Sequence, residues 1–103
     1  MRETQYQLAL IKRIRDLLPG CVILRNDPKY VQGVPDILIL YRNHWAMLEV
    51  KLAPTSDHRP NQEYYVGLLN DMSFASFIYP ENEEEVLHEL QLSFGIDWEA
   101  RIP

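Results

Sequence analysis

The sequence predicts an α/β domain, with a central mixed sheet flanked by helices; a mixed α+β arrangement around such a sheet is the alternative. Three observations predict it. Segments with helical spacing are interleaved with short apolar segments that have strand character. Two consecutive strand-like segments, "VPDILILY" (Val34–Tyr41) and "HWAMLEVKL" (His44–Leu52), are rich in apolar residues on both faces. A strand reads that way when helices cover both sides of its sheet. Finally, the 103 residues are 47% hydrophobic and contain no repeat, linker or low-complexity stretch, so residues 1–103 are read as one domain with one core.

Each element has a local reason. Between Glu3 and Leu18, the residues Gln7, Leu10, Ile14 and Leu17 fall on one helical stripe, with Leu8, Ile11 and Leu18 beside it. Pro19-Gly20 ends that helix. "CVILRN" (Cys21–Asn26) is a short strand and "DPKYVQG" (Asp27–Gly33) a turn-rich loop. The strands Val34–Tyr41 and His44–Leu52 are joined by a tight turn at Arg42-Asn43. "APTSDHRP" (Ala53–Pro60) is a polar loop with two prolines. "NQEYYVGLLND" (Asn61–Asp71) has helical spacing through Gln62, Tyr65, Val66 and Leu69. "FASFIY" (Phe74–Tyr79) is the fourth strand. "ENEEEVLHELQLSF" (Glu81–Phe94) is an amphipathic helix whose early acidic residues suit the positive end of the helix dipole. The run Glu83-Glu84-Glu85 reads as a solvated face. The last nine residues, "GIDWEARIP", carry no assignable pattern, and the predicted order is αβββαβα.

Composition narrows the function classes. No apolar run approaches the roughly 18 residues a membrane span requires, and no signal-peptide pattern opens the chain. Cys21 is the only cysteine, which excludes a disulfide within the chain. It reads as a small buried hydrophobe, and a reducing, cytoplasmic setting is expected. His44, His58 and His88 have no paired ligand spacing, so zinc is not expected. The net charge of −5 is unevenly spread. Residues 1–60 hold nine Lys/Arg against six Asp/Glu, and residues 61–103 hold one against nine. A basic working surface backed by an acidic one is compatible with DNA as a partner.

The chemistry concentrates on two strands. In "MLEVKL" (Met47–Leu52), Glu49 and Lys51 are two residues apart and so point to the same face. If the hairpin turns at Arg42-Asn43, Tyr41 faces His44 and Asp36 comes opposite Glu49, with Val34 opposite Lys51. Opposed residues have Cβ atoms about 4.5–5.5 Å apart, so the two carboxylates repel unless a positive charge lies between them. Lys51 supplies part of that charge, and a hard divalent cation, Mg²⁺ or Mn²⁺, would supply the rest. A phosphodiester is the natural substrate of such a site.

"GVPD" on one strand followed by "EVK" on the next resembles the PD-(D/E)XK nuclease superfamily. The G-x-P-D spacing, the "EVK" followed by Leu52-Ala53-Pro54, and Gln62 near the start of the next helix are most similar to its VRR-Nuc branch. That resemblance implies a restriction-endonuclease-like αβββαβ core from Glu3 to Tyr79. It implies Asp36 and Glu49 as metal ligands with the backbone carbonyl of Val50 as a third, Lys51 as the catalytic lysine, and Gln62 reaching water or phosphate. Glu3 matches an acidic residue that many members carry on the first helix. Members often have a small hydroxyl residue a few positions before the helix glutamine, where Asp57-His58-Arg59 stand here. Relatives of this size resemble Holliday-junction resolvases and branch-specific nucleases, which implies branched DNA as substrate. A homodimer, built on Trp98 and Ile102 of the tail or on the helix Glu81–Phe94, suits a junction with two strands to cut. No small-molecule cofactor is implied. Arg25, Asn26, Lys29 and Arg59 are candidate DNA contacts.

Plainer readings stand beside these. Glu49 with Lys51 can be an ion pair at a sheet edge, Asp36 a turn residue after Pro35, Gln62 a capping residue, and Glu3 a helix-start carboxylate. Asn26 and Asp27 can form a turn before Pro28. Tyr64 and Tyr65 read as one exposed and one core aromatic. At the level of function, the rivals are an inactive DNA- or partner-binding module of the same fold, and a nuclease subunit of a larger repair or recombination complex.

Overall fold

The computed structural model describes residues 1–96. Its elements are α1 (Glu3–Leu17), β1 (Val22–Arg25), β2 (Ile37–Tyr41), β3 (His44–Val50), α2 (Gln62–Met72), β4 (Phe74–Ile78) and α3 (Glu83–Ser93), with a 3₁₀ turn over Pro80–Asn82. The four strands form one open sheet in the order β1-β2-β3-β4. The β1–β2 and β2–β3 pairs are antiparallel and β3–β4 is parallel. The architecture is therefore α/β with a mixed sheet, and α2 is the crossover that a parallel pair requires.

The β2–β3 turn sets the register on which the site depends. Tyr41 pairs with His44 and Ile37 with Leu48, so the two-residue turn at Arg42-Asn43 holds. Arg42 occupies the left-handed region at φ 55, and its guanidinium lies 5.0 Å from the centroid of the Tyr41 ring. One residue beyond the paired stretch, Asp36 comes alongside Glu49.

One face of the sheet carries the main core. Ile37, Ile39 and Tyr41 of β2 and Ala46, Leu48 and Val50 of β3 pack with Leu10 and Ile14 of α1 and Val86, Leu87, Leu90 and Phe94 of α3. The buried face of α1 is centred on Tyr6, Leu10 and Ile14, while Gln7 is half-buried and Leu8 exposed. Leu10 and Ile14 of the expected stripe are buried as expected, and Tyr6 takes the place of Gln7 because its ring enters the core while its hydroxyl has a partner.

The other face is covered in part. Helix α2 packs on β3 and β4, and nothing comparable covers Val22, Leu24 and Leu40, which are exposed. Among the described residues the expectation of helices over both faces is not met on the β1–β2 half, because they return only one helix to that side. Tyr64 is exposed as expected, whereas Tyr65, expected in the core, is half-buried on α2 and stands outside the core cluster.

Further differences have physical reasons. Strand β2 begins at Ile37 and not at Val34, because Val34 N–H closes a turn onto the Val31 carbonyl (3.3 Å) and Pro35 has no N–H to give a ladder. Strand β3 ends at Val50, although Lys51 N–H still bonds the Ile78 carbonyl at 2.9 Å. Pro80 opens a 3₁₀ turn, so α3 starts at Glu83 and not at Glu81.

Glu83 is not on a solvated face. It accepts a bond from the Tyr6 hydroxyl at 2.7 Å and is paired with Arg13, which also reaches Glu84 at 2.6 Å. Burial and the Glu83 carboxylate both raise the pKa of Tyr6. The apolar side of α3 built from Val86, Leu87 and Leu90 is used inside the molecule, and its outward side shows Glu84, Glu85, His88 and Glu89 with the exposed Leu92. Trp98 and Ile102 lie outside the described residues. Among the described residues, no helix is long and apolar enough to cross a membrane.

Candidate active site

Strand pleating and the hairpin register bring the chemistry to one end of the sheet, where β2 begins and β3 finishes. Glu49 and Lys51 share the face opposite the main core. Both are buried there, at 2% and 6% exposure, beneath the Ala53–Pro60 loop and the first turn of α2. Gln62, the first residue of α2, is 7% exposed and lies between them. Its Nε2 donates to Glu49 Oε2 (3.2 Å), and its Oε1 accepts from Lys51 Nζ (2.8 Å) and from Arg59 N–H (2.8 Å). Lys51 Nζ also donates to the Asp57 carbonyl (3.0 Å) and stands 3.7 Å from Glu49 Oε2. The lysine is thus aimed by two oxygens, and its link to Glu49 runs mainly through the glutamine. The capping role weighed for Gln62 is not what its side chain does.

Asp36 is held by the main chain. Its Oδ2 accepts from Val50 N–H at 2.8 Å, and its own carbonyl accepts from Asn26 N–H at 2.8 Å. Asn26 Nδ2 donates to the Pro35 carbonyl at 2.8 Å. The amide of Asn26 therefore braces the Val34–Asp36 segment, while the turn around Pro28 is closed by Asp27, which accepts from Lys29 N–H and Tyr30 N–H. Val50 enters the site through its N–H, which fixes Asp36.

The electrostatics are unfavourable without a cation. Burial, the adjacent Asp36 carboxylate and the more distant Glu3 push the pKa of Glu49 up to about 8, against a lowering by Lys51. Glu49 Oε1 is buried and has no hydrogen-bond partner. A buried carboxylate oxygen without a donor, beside a second carboxylate, is an arrangement that stability alone does not favour. Two carboxylates facing a polar cleft suit Mg²⁺ or Mn²⁺, which take hard oxygen ligands and keep several waters. Among the described residues no group of three or more His, Cys, Asp or Glu is gathered at ligand spacing; the side chains that could hold a cation here are Asp36 and Glu49.

The cleft itself is about 290 Å³ and is lined by Glu3, Asp36, Glu49 and Lys51 together with Ser56, Asp57, Arg59 and Gln62. Glu3 is exposed at the start of α1 and reaches the rim. A second cleft of about 350 Å³ shares Asp36, Glu49, Arg59 and Gln62 and adds Lys29 and Gly33. Lys29 and Arg59 therefore line a cleft shared with Asp36 and Glu49, whereas Arg25 lines a separate groove. Sequence reasoning missed Ser56, whose Oγ accepts from Ala53 N–H at 3.1 Å. The signal was the hydroxyl in "PTSD", ahead of the positions compared.

Gly33 fixes the geometry from behind. Its φ is +91, and a Cβ there would lie 2.6 Å from Asn61 Cβ and 2.8 Å from the Pro60 carbonyl oxygen. The loop that delivers Asp36 is thereby seated against the segment that delivers Gln62. Gly20 has a similar φ of +87 with open space around it. Gly33→Ala is expected to cost about 1–3 kcal/mol more than Gly20→Ala, because it adds a collision with backbone to the same φ strain. Paired thermal unfolding of the two variants measures this, and equal losses would show that the close approach is easily relieved.

No family model, curated protein or solved structure matches this chain.

Proposed function

We propose that the chain is a divalent-metal-dependent DNA endonuclease of the PD-(D/E)XK type that hydrolyses phosphodiester bonds, with structured or branched DNA as its substrate. One observation carries the reading. Glu49, Lys51 and Gln62 are buried and mutually hydrogen-bonded or ion-paired with Asp36 alongside, and one Glu49 oxygen is left without a donor in a polar cleft. A structural ion pair would have satisfied that oxygen.

Asp36 and Glu49 would hold the Mg²⁺ or Mn²⁺, which when bound polarises the phosphoryl oxygen and offsets charge on the leaving oxygen. Lys51, aimed by Gln62 and the Asp57 carbonyl, orients the attacking water and stabilises the negative charge that builds at the phosphoryl group. Gln62 keeps Glu49 and Lys51 at a fixed separation. Arg59 and Lys29 contact flanking phosphates, a sequence-independent attraction that weakens as salt rises.

The test is a nicking assay on a four-way junction, a flap and a plain duplex, with Mn²⁺, with Mg²⁺ and with EDTA. Metal-dependent cleavage that prefers a branched substrate is expected. Binding to DNA without cleavage under any metal condition would instead identify an inactive binding module.

A further inference from the structure

Tyr30 sits in the loop between β1 and β2 and is 88% exposed. Neither its ring nor its hydroxyl has a hydrogen bond or ring contact among the described residues. A single exposed aromatic is unremarkable by itself. The support beneath this one is stiff. Lys29 N–H donates to Asp27 Oδ1 at 2.8 Å, and Tyr30 N–H donates to the Asp27 carbonyl at 3.1 Å, so the tyrosine is presented on a closed turn. Pro28 fixes one further dihedral, and Gly33 seats the far end of the loop against Pro60 and Asn61. The backbone beneath the ring is thus already ordered, so stacking a flat ligand on it costs side-chain freedom alone.

Its neighbours indicate the ligand. Consecutive side chains of the loop line different clefts. Lys29 lines the one shared with Asp36 and Glu49, and Tyr30 lines an adjoining groove of about 350 Å³ together with Arg25 and Asn26. Val34 lines both. A strand leaving the carboxylate cleft past this wall meets a cation on each side of the loop and a bare aromatic ring on the outer side.

Resting on the DNA reading above, we propose that Tyr30 is a stacking platform for an unpaired nucleobase next to the scissile phosphate. Bases within an intact duplex have both faces covered by their neighbours, so only an unpaired base offers a face to the ring. The preferred substrate class is then DNA with unpaired nucleotides at the cleavage point, as in a flap or splayed arm.

The experiment is equilibrium binding in EDTA, where no cleavage occurs, of a fluorescent single-stranded oligonucleotide and of a blunt duplex. It compares the unaltered protein with Tyr30→Ala and Tyr30→Phe. Tyr30→Ala is expected to weaken single-strand binding about 5- to 100-fold, the range for loss of one stacked base, and to leave duplex binding unchanged. Tyr30→Phe keeps the ring and is expected to bind as the unaltered protein does. Equal affinity of Tyr30→Ala and unaltered protein for the single strand overturns the proposal, as does an equal loss on both probes. Failure of the unaltered protein to bind any DNA overturns it together with the nuclease reading. Selective binding without metal-dependent cleavage overturns the nuclease reading alone.

Discussion

Lys51→Met is expected to lower the rate of DNA nicking by about 10²–10⁴-fold, the range for loss of a positioned proton-transfer or charge-stabilising group. Methionine matches the length of the lysine stem and fills the buried space, so the fold is retained. The amine bonded to Gln62 Oε1 and the Asp57 carbonyl is all that is removed. Binding of Mn²⁺ is expected to persist, because the donors are Asp36 and Glu49 and the variant deletes a positive charge 3.7 Å from Glu49 Oε2. Single-turnover nicking and Mn²⁺ titration of the same preparation separate the two effects. A variant that nicks at the unaltered rate would remove Lys51 from the chemistry.

Glu49→Gln is expected to abolish metal-dependent nicking and, in EDTA, to stabilise the protein. The sign follows from the raised pKa of Glu49, about 8 in the folded chain against an ordinary value of 4.5. The folded state holds the proton more tightly than the unfolded one. The associated stability is fully present below about pH 4.5 and is lost progressively as pH rises towards 8. At pH 7 the folded chain still holds this proton for the most part, and taking it up on folding costs on the order of 3 kcal/mol. Glutamine is neutral throughout, still accepts from Gln62 Nε2, and can donate to Asp36. The stability gap between variant and unaltered protein should therefore widen between pH 5 and pH 8 in EDTA. Added Mn²⁺ should stabilise the unaltered protein and leave the variant unaffected. Destabilisation of the variant at pH 8 in EDTA would mean that Glu49 is there for its ion pair with Lys51.

Much of this arrangement was legible in the sequence because strand periodicity and a two-residue turn are short-range rules. Glu49 and Lys51 share a face by period 2, and the turn at Arg42-Asn43 fixes which residue of β2 lies opposite each residue of β3. The α2 stripe through Gln62 and Tyr65 placed the glutamine over the sheet for the same reason. Features made by contacts distant in sequence were not legible. The wedge of Gly33 against Asn61 joins two loops. The bond from Tyr6 to Glu83 joins the first helix to the last. Nothing local to "CVILRN" or "VPDILILY" reveals that Val22, Leu24 and Leu40 are left exposed among the described residues, because coverage depends on how many helices return to that face. Asn26 read first as a turn residue before Pro28, and its actual bond to the Pro35 carbonyl, nine residues away, was not legible.

The most direct measurement is an anomalous difference map from a crystal soaked in Mn²⁺. A peak bridging the carboxylates of Asp36 and Glu49, with Lys51 Nζ beside it, is the predicted result. A map with no peak there, or with those two side chains turned to opposite sides of the sheet, would contradict the metal site and the nuclease built on it.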